Sequence, residues 1–266
     1  MEKIYVCFPH GKYKVLTLSY DDGKKEDQRL VQMLNQYHVK GTFHLNYGLM
    51  DQDIRIHKEE IKEIYKGHEV AAHSMTHPTI ARCPLPMTVQ EILQDREGLE
   101  QLVGYPVRGF SYPNGSYHKE IVAMLPALGI RYARTVGSSE NFDLPGNPYE
   151  WQPTCHHNHK LLELAQTFIE TKKSQYLTMM YVWGHSYEFT RDDNWELIEQ
   201  FLQFVSNQEE VWYATNIEIM NYLDAVNRLE YTASCNMVYN PSIMSVWITV
   251  NDVPVEIHGG EMKRLF

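Results

Sequence analysis

Apolar stretches of strand length alternate with stretches of helical periodicity from residue 14 to about residue 229. The predicted strands are 14–20, 41–46, 68–74, 107–113, 130–136, 176–185 and 210–216. Most are apolar at nearly every position, which is typical of strands buried on both faces. The predicted helices between and after them are 26–37, 57–66, 88–103, 118–128, 158–172, 193–206 and 217–229.

Seven strand–helix units in succession predict a parallel sheet with helical crossovers. No glycine-rich phosphate loop follows the first strand, which disfavours an open doubly wound sheet. We therefore predict an α/β fold, a distorted (β/α)7 barrel, over residues 1–229. Residues 230–266 contain three short apolar segments instead and are predicted to form a small β-strand appendage. We expect this appendage to be a structural cap, with a carbohydrate-contacting module as the alternative.

Composition narrows the class of protein. The chain has 266 residues, with 24 basic and 34 acidic side chains, and a net charge of −10 disfavours nucleic acid as a partner. No run approaches the roughly 20 apolar residues of a membrane span. No signal peptide is visible, so we expect a cytoplasmic protein, or an exported one if a leader has been removed.

The four cysteines lack CxxC spacing, which excludes a zinc ribbon, and we expect them to be reduced, with disulfides as the alternative.

Polar residues of catalytic type gather where the predicted strands end. These residues are Asp21, Asp22, His73, His77, Tyr112, Asn114 and His185. In a barrel the carboxyl ends of the strands share one face, and that face carries the active site. We therefore expect residues up to 164 positions apart to meet there.

Two histidines and a carboxylate form a divalent metal site with open coordination positions. His73 and His77 are four residues apart, and Pro78 disfavours a helix at His77, so this pair is expected on a loop. The alternative is a pair of strand-end histidines with local hydrogen bonds. Asp21-Asp22-Gly is also ordinary turn chemistry. Successive residues leaving a strand point in different directions, however, so one carboxylate can bind a metal while the other acts as a base.

The segments SYDDG at 19–23 and HSMTH at 73–77, in a barrel of seven units, resemble the motifs of the polysaccharide deacetylase family, also called NodB-like or carbohydrate esterase family 4. The resemblance covers about residues 14–216. It implies that Asp21 is the general base and that the metal ligands are Asp22, His73 and His77. A histidine after an apolar strand is the last family motif, and it implies that His185 is the general acid. The alternative is a capping or core histidine.

The third family motif, usually Arg-Pro-Pro-Tyr-Gly, is altered in this chain. The matching stretch is Ser-Tyr-Pro-Asn-Gly at 111–115, so Ser111 replaces the arginine that pairs with the base in the family. Arg108 or Arg134 is expected to orient the base instead, with a surface or structural charge as the equal alternative for each. Asn114 replaces the aromatic residue whose backbone N–H serves the oxyanion, and a backbone donor survives a change of side chain.

Residues 137–159 form a long predicted connection on the catalytic side, where such loops are usually functional. Trp151 in this connection could stack on a sugar ring or anchor the loop. With Tyr112 and Asn114 it completes the expected substrate-binding or oxyanion set. The connection also holds three histidines, at 156, 157 and 159, for which we expect substrate contact or loop packing. A second metal site is disfavoured there because the sequence offers no nearby carboxylate to complete it.

The resemblance implies a metal-dependent hydrolase that removes acetyl groups from an N- or O-acetylated carbohydrate. Metal-activated water would attack the acetyl carbonyl, with Asp21 as base and His185 as acid. We expect one divalent metal ion, zinc first and cobalt, nickel, iron or manganese as alternatives. The expected partner is an acetylated sugar or oligosaccharide, whose identity and acetyl position the sequence does not specify, and the oligomeric state is equally unspecified.

Three other functions compete with deacetylation. The first is a related barrel amidohydrolase that acts on a small cyclic imide, ureide or formamide. A non-haem iron oxygenase also uses two histidines and a carboxylate, but it leaves no role for Asp21. A non-catalytic carbohydrate-binding protein is the third, and the presence of both Asp21 and His185 disfavours it, because binding alone needs neither a base nor an acid.

Overall fold

The computed structural model describes residues 2–266. Its strands are β1 (Ile4–Cys7), β2 (Lys14–Asp21), β3 (Gly41–Leu45), β4 (Glu69–Ala72), β5 (Gly109–Ser111), β6 (Tyr132–Arg134), β7 (Cys155–His156), β8 (Thr178–Gly184), β9 (Val211–Tyr213), β10 (Glu230–Tyr231), β11 (Met237–Tyr239), β12 (Val246–Val250), β13 (Val253–Ile257) and β14 (Met262–Arg264). Its α-helices are α1 (Asp27–Gln36), α2 (Ile61–Ile64), α3 (Leu85–Val103), α4 (Lys119–Met124), α5 (Leu161–Glu170), α6 (Tyr187–Arg191), α7 (Trp195–Val205) and α8 (Asn216–Val226).

Strands β2 to β9 form one parallel sheet. The hydrogen-bonded order is β6-β5-β4-β3-β2-β8-β7, and β9 also pairs with β2. Strand β9 meets the first half of β2, at Lys14–Leu16, whereas β3 meets its second half, at Leu18–Asp21. The α/β fold predicted from the alternating apolar pattern is therefore confirmed.

The chain between β6 and α5 closes this sheet into a distorted barrel. The backbone N–H of Trp151 donates to the carbonyl of Ala133 in β6. Three residues later, the N–H of Thr154 donates to the carbonyl of Tyr181 in β8, and β7 continues that pairing. The second half of the predicted loop is therefore part of the barrel wall. The two-residue strand β7 is too short for a periodicity argument to detect.

Helix α3 places a polar residue inside the apolar layer. It runs from Leu85 to Val103 and ends at Gly104, which adopts a left-handed conformation with φ of 78°. Ile92 and Leu99 lie on its buried face, and Asp95 is buried on the same face, three residues after the first and four before the second. A carboxyl group buried in this position needs polar partners. Asp95 has such partners among the backbone N–H groups of Tyr47 and His73.

The β appendage takes in both ends of the chain. β12 and β13 form a hairpin across Asn251-Asp252, and β1 pairs with the other edge of β12 with Ile4 opposite Val250. β10, β11 and β14 form a second antiparallel sheet. β1 lies within residues 1–229, the range predicted for the barrel, but it pairs with β12 of the appendage. The division of the chain at residue 229 stays a prediction.

One apolar cluster joins this appendage to the barrel. It includes Val246 and Ile257 of the appendage together with Val15 and Met179, which lie at the starts of β2 and β8. The appendage thus packs at the N-terminal ends of these barrel strands, the end opposite the carboxyl-terminal face. Its role as a structural cap stays a prediction.

All four cysteines are free in the structure. Cys7 and Cys155 are buried, as expected of packing residues, whereas Cys235 is exposed and does not have that role. Among residues 2–266, no helix is long and apolar enough to cross a membrane.

Candidate metal and catalytic site

The aspartate pair stands at the carboxyl end of the central strand, β2. Asp21 is the last residue of that strand and is only 2% exposed. Asp22 follows with a φ of 82°, and its N–H donates to the carbonyl of His44. This turn sends the two carboxylates in different directions. Asp21 faces β5 and β6, and Asp22 faces the histidine loop that follows β4.

The three expected metal ligands lie together in the structure. One donor atom from each of Asp22, His73 and His77 lies within 4.8 Å of the other two. Asp22 Oδ1 is 3.8 Å from His77 Nε2, and this buried oxygen has no hydrogen-bond partner. Two imidazole nitrogens and an unsatisfied carboxylate oxygen are the donors that divalent transition metals prefer. The residues present therefore fit a divalent cation.

Hydrogen bonds to the other ring nitrogen orient His73. Its Nδ1 lies 2.9 Å from the carbonyl oxygen of Ser111 and 2.6 Å from the Ser111 hydroxyl. A carbonyl only accepts, so Nδ1 carries the proton and Nε2 keeps its lone pair. Burial lowers the pKa of His73 to about 4, which keeps the ring neutral.

The loop that carries His77 is held by acidic side chains of α3. His77 has a φ of 58°, so it lies on a loop, as Pro78 predicted, and not on a helix. Glu91 accepts from the N–H of Thr76 at 2.8 Å and from its hydroxyl at 2.7 Å. Asp95 accepts from the N–H of His73 at 2.9 Å. These bonds fix the spacing between the two histidines.

Asp21 is surrounded by donors. Ser111 Oγ donates to Asp21 Oδ1 at 3.2 Å, and the Arg134 guanidinium donates to Oδ2. His73 Nε2 lies 3.8 Å from the same Oδ2. Burial is the largest single influence and by itself would raise the pKa of Asp21. The charge of Arg134, together with smaller contributions from His73, His44 and His185, outweighs it and holds this pKa well below its usual range. Asp21 is therefore an ionised carboxylate.

Of the two arginines expected beside the base, Arg134 contacts it and Arg108 does not. Arg134 is fully buried, with its guanidinium carbon 4.5 Å from the centre of the Trp183 ring. Arg108 precedes β5 at the opposite end of the barrel, where its Nη1 donates to Asn221 Oδ1 at 3.2 Å. The expected role of Arg108 is therefore wrong, because the strand direction points it away from the site.

His185 follows β8 at the same rim of the barrel. Its Nδ1 lies 3.4 Å from Glu188 Oε2, and its backbone N–H donates to that oxygen at 3.2 Å. Burial disfavours the charged ring, but the negative charges of Glu188 and Asp21 outweigh this effect and raise the pKa of His185. The environment thus favours the protonated imidazolium, the form that a general acid requires.

Two of the three expected substrate contacts are buried side chains. Tyr112 is 1% exposed and its hydroxyl donates to the carbonyl of Tyr149 at 2.7 Å. Trp151 is 1% exposed and packs edge-on against Tyr132 and Tyr181, with centroids 5.4 and 5.0 Å away. Neither ring offers a face to a sugar. The expectation of sugar stacking is wrong, and Trp151 anchors the barrel wall instead.

Asn114 has the exposure that a substrate-facing residue needs. It has a φ of 56° in the turn after β5, and its Nδ2 donates to Thr79 Oγ1 at 3.3 Å. This contact holds the turn next to the histidine loop. An oxyanion-binding role for the backbone N–H of Asn114 stays a prediction.

Sequence reasoning missed four supporting residues, which are Glu91, Asp95, Ser111 and Glu188. Asp95 had a detectable signal, because a charge on the apolar face of α3 needs a buried partner. Glu188 also had one, since it lies three residues after His185, within reach on one helical turn. Ser111 was noticed only as a missing arginine, although its hydroxyl contacts both His73 and Asp21.

The histidines of the long connection separate into two environments. His159 is exposed and pairs with Glu140 at 2.7 Å. His156 and His157 converge on Glu188, which lies on α6. The expectation that no carboxylate completes this group is therefore wrong, because the fold brings Glu188 from more than thirty positions away.

Comparison with known proteins identifies the family of the first half of the chain. Residues 9–133 match the family model of polysaccharide deacetylase. These residues belong to the polysaccharide deacetylase family. The matched segment contains the aspartate pair, the histidine loop and the altered third motif, and it ends before Arg134 and His185.

Relatives of this polysaccharide deacetylase segment include an enzyme of known name and several solved structures. The chain is 26% identical over 110 residues to the peptidoglycan-N-acetylglucosamine deacetylase PgdA of Listeria monocytogenes, covering 41% of this chain and 23% of PgdA. The chain spans only 23–37% of the length of the curated relatives that it matches.

Among solved structures, the chain is similar to a candidate polysaccharide deacetylase from Mycobacterium smegmatis, with a TM-score of 0.63 at 17% identity, covering 85% of this chain and 96% of that chain. It is also similar to a carbohydrate esterase family 4 pseudoenzyme from Bacillus anthracis, with a TM-score of 0.52 at 18% identity, covering 81% of this chain and 68% of that one. At these identities the similarity concerns the fold. Whether this polysaccharide deacetylase fold is active is therefore a question for its own residues.

Proposed function

We propose that this member of the polysaccharide deacetylase family is an active, metal-dependent hydrolase of N- or O-acetylated carbohydrates. The observation that carries the proposal is the arrangement at one barrel rim of an ionised carboxylate, a two-histidine, one-aspartate donor set and a histidine with a raised pKa. The name of the Listeria relative supports an N-acetylated sugar as substrate.

A divalent cation held by Asp22, His73 and His77 would polarise the acyl carbonyl and acidify water. Within the chain, Asp21 acts as the base. Arg134 and Ser111 fix the orientation of its carboxylate, and Arg134 keeps it ionised. The carboxylate accepts the proton of the attacking water molecule.

His185 supplies the proton at the end of the reaction. The charge of Glu188 favours its imidazolium form, which donates a proton to the departing amine or alcohol. The backbone N–H of Asn114 serves the developing oxyanion, in an exposed turn beside the histidine loop. A base that must stay ionised and fixed explains why Arg134 pairs with Asp21 although the third motif lacks its arginine. A binding protein would have no need of a buried arginine on a general base.

The test is acetate release from chito-oligomers and acetylated xylan by metal-free and by zinc- or cobalt-loaded protein. We expect metal-dependent release that falls by at least about 10²-fold in Asp21→Asn and in His185→Gln, each with metal still bound. His118→Ala, which changes a half-buried histidine directly before α4 and outside both histidine groups, is the matched control. Near-normal turnover in Asp21→Asn would contradict the base assignment. Silence across the panel with one equivalent of metal bound would favour a small imide or formamide hydrolase, or a binding protein.

A further inference from the structure

Three imidazoles surround a single carboxylate oxygen at the rim formed by β7 and β8. Glu188 Oε2 lies 3.0 Å from His156 Nε2, 3.4 Å from His157 Nε2 and 3.4 Å from His185 Nδ1. The other oxygen, Oε1, lies 3.5 Å from Arg191. The first two histidines with Glu188 form a second set of donor atoms within 4.8 Å of one another.

His157 has no hydrogen bond to explain its burial. Its side chain is fully buried, and both Nδ1 and Nε2 lack a partner. Its ring stacks on Phe189 with centroids 4.2 Å apart, while Nδ1 faces Gly184, where any side chain would collide with it. This packing directs Nε2 towards Glu188. A buried polar atom normally has a partner. His157 Nε2 lies 3.4 Å from the Glu188 carboxylate but forms no hydrogen bond with it, so this nitrogen needs a partner of another kind.

The spacing of the donors suits a metal ion. Bonds of about 2.0–2.1 Å in a tetrahedral site separate the ligand atoms by roughly 3.3 Å. The contacts of Glu188 Oε2 with His156 and His157, at 3.0 and 3.4 Å, bracket that separation. Two imidazole nitrogens and one carboxylate oxygen leave an open position, as in other three-ligand zinc sites. The N–H of Asn158 donates to His156 Nδ1 at 3.2 Å, and metal binding through His156 Nε2 would break this bond, because Nδ1 would then carry the ring proton.

We propose that His156, His157 and Glu188 form a second binding site for a divalent transition-metal ion of the zinc class. The site is separate from the one formed by Asp22, His73 and His77, and metal binding there can be measured without deacetylase activity. A cation on Glu188 Oε2 would offset part of the negative charge that raises the pKa of His185. A cation bound there would tie the wall segment that follows Trp151 to α6, beside His185.

Metal stoichiometry tests this proposal. Full-length protein is stripped with a chelator and titrated with Zn²⁺ by calorimetry, with bound metal counted by elemental analysis. We expect two equivalents in the wild type, one in Asp22→Asn/His77→Ala, one in His156→Ala/Glu188→Gln and none when all four changes are combined. His159→Ala, close in sequence but outside the cluster, is the control and should keep two. Circular dichroism checks that each variant is folded.

Cobalt absorption gives a second readout that does not require the second-site variant to fold. In Asp22→Asn/His77→Ala loaded with Co²⁺, we expect a visible ligand-field band from the remaining site, lost on addition of Glu188→Gln. A single equivalent in the wild type, abolished by Asp22→Asn/His77→Ala, would overturn the second site and leave the proposed function intact. Absence of any bound metal in the wild type would overturn both.

Discussion

The guanidinium of Arg134 contacts the carboxylate of Asp21 across 113 positions of sequence. The register of β5 and β6 explains how this pairing arises. Ser111 and Arg134 are direct neighbours across these two parallel strands, so their side chains point to the same side of the sheet. An arginine at position 134 therefore reaches the same Asp21 carboxylate that an arginine at position 111 would reach. The positive charge beside Asp21 therefore comes from β6 in this chain, and not from the third motif in β5.

Removing the charge of Arg134 should destabilise the fold strongly. Arg134→Gln leaves the buried carboxylate of Asp21 without its cation, and breaking a buried ion pair in this way costs about 3–5 kcal/mol. Urea unfolding at pH 7 measures this loss. Arg108→Gln is the matched control, since Arg108 is half-buried, makes one hydrogen bond to Asn221 and should cost at most about 1 kcal/mol. Equal losses in the two variants would contradict the assigned pairing.

Zinc should stabilise the folded chain through the histidine loop. A ligand that binds only the folded state adds about 2.7 kcal/mol at a hundredfold excess over its Kd. We expect Zn²⁺ to raise the Tm of the wild type and His77→Ala to lose a large part of that rise, because one donor of the site is gone. Differential scanning fluorimetry with and without chelator measures both. An equal zinc-induced rise in His77→Ala and in the His118→Ala control would exclude His77 as a ligand.

Glu69 should make stability depend on pH. Burial raises its pKa to about 7 from an ordinary 4.5, although the N–H of Ile217 and the hydroxyls of Tyr132 and Thr42 donate to it. The folded state therefore holds this proton more tightly than the unfolded state does. Its contribution is complete below about pH 4.5 and is lost as pH rises to about 7, an effect of about 3 kcal/mol.

Glu69→Gln removes this titration, and the amide keeps a carbonyl to accept from Ile217. The difference in unfolding free energy between Glu69→Gln and wild type should therefore move in favour of the variant between pH 4.5 and pH 8. Chemical denaturation at a series of pH values provides the data, with exposed Glu120→Gln as control. A constant difference across this range would show that Glu69 is not the group responsible.

Trp151 should act on stability and not on substrate affinity. Trp151→Ala removes a buried ring between Tyr132 and Tyr181, which typically costs about 3–5 kcal/mol. Denaturant unfolding should record this loss, while Trp151→Phe, which keeps most of the packing, should lose less and keep its KM. A Trp151→Phe variant with normal stability and a KM raised about tenfold would restore the sugar-stacking role.

Much of the fold could be predicted from the sequence because the patterns that indicate strands and helices are local. Continuous apolar runs at 14–20 and 176–185 became β2 and β8, and the alternation of such runs with amphipathic segments predicted a parallel barrel. The aspartate pair and the histidine loop could be predicted as well, since each is a short segment at a strand end. Barrel geometry alone then brings such ends to one face.

The tertiary structure decided the pairings that no local pattern encodes. Which arginine meets Asp21 depends on strand direction and register, and these placed Arg134 at the site and Arg108 at the opposite end. Whether Trp151 faces solvent depends on the closure of the barrel between β6 and β8. The meeting of Glu188 with His156 likewise follows from the pairing of β7 with β8. Side-chain chemistry is thus set by the sequence, whereas the partner of each side chain is set by long-range packing.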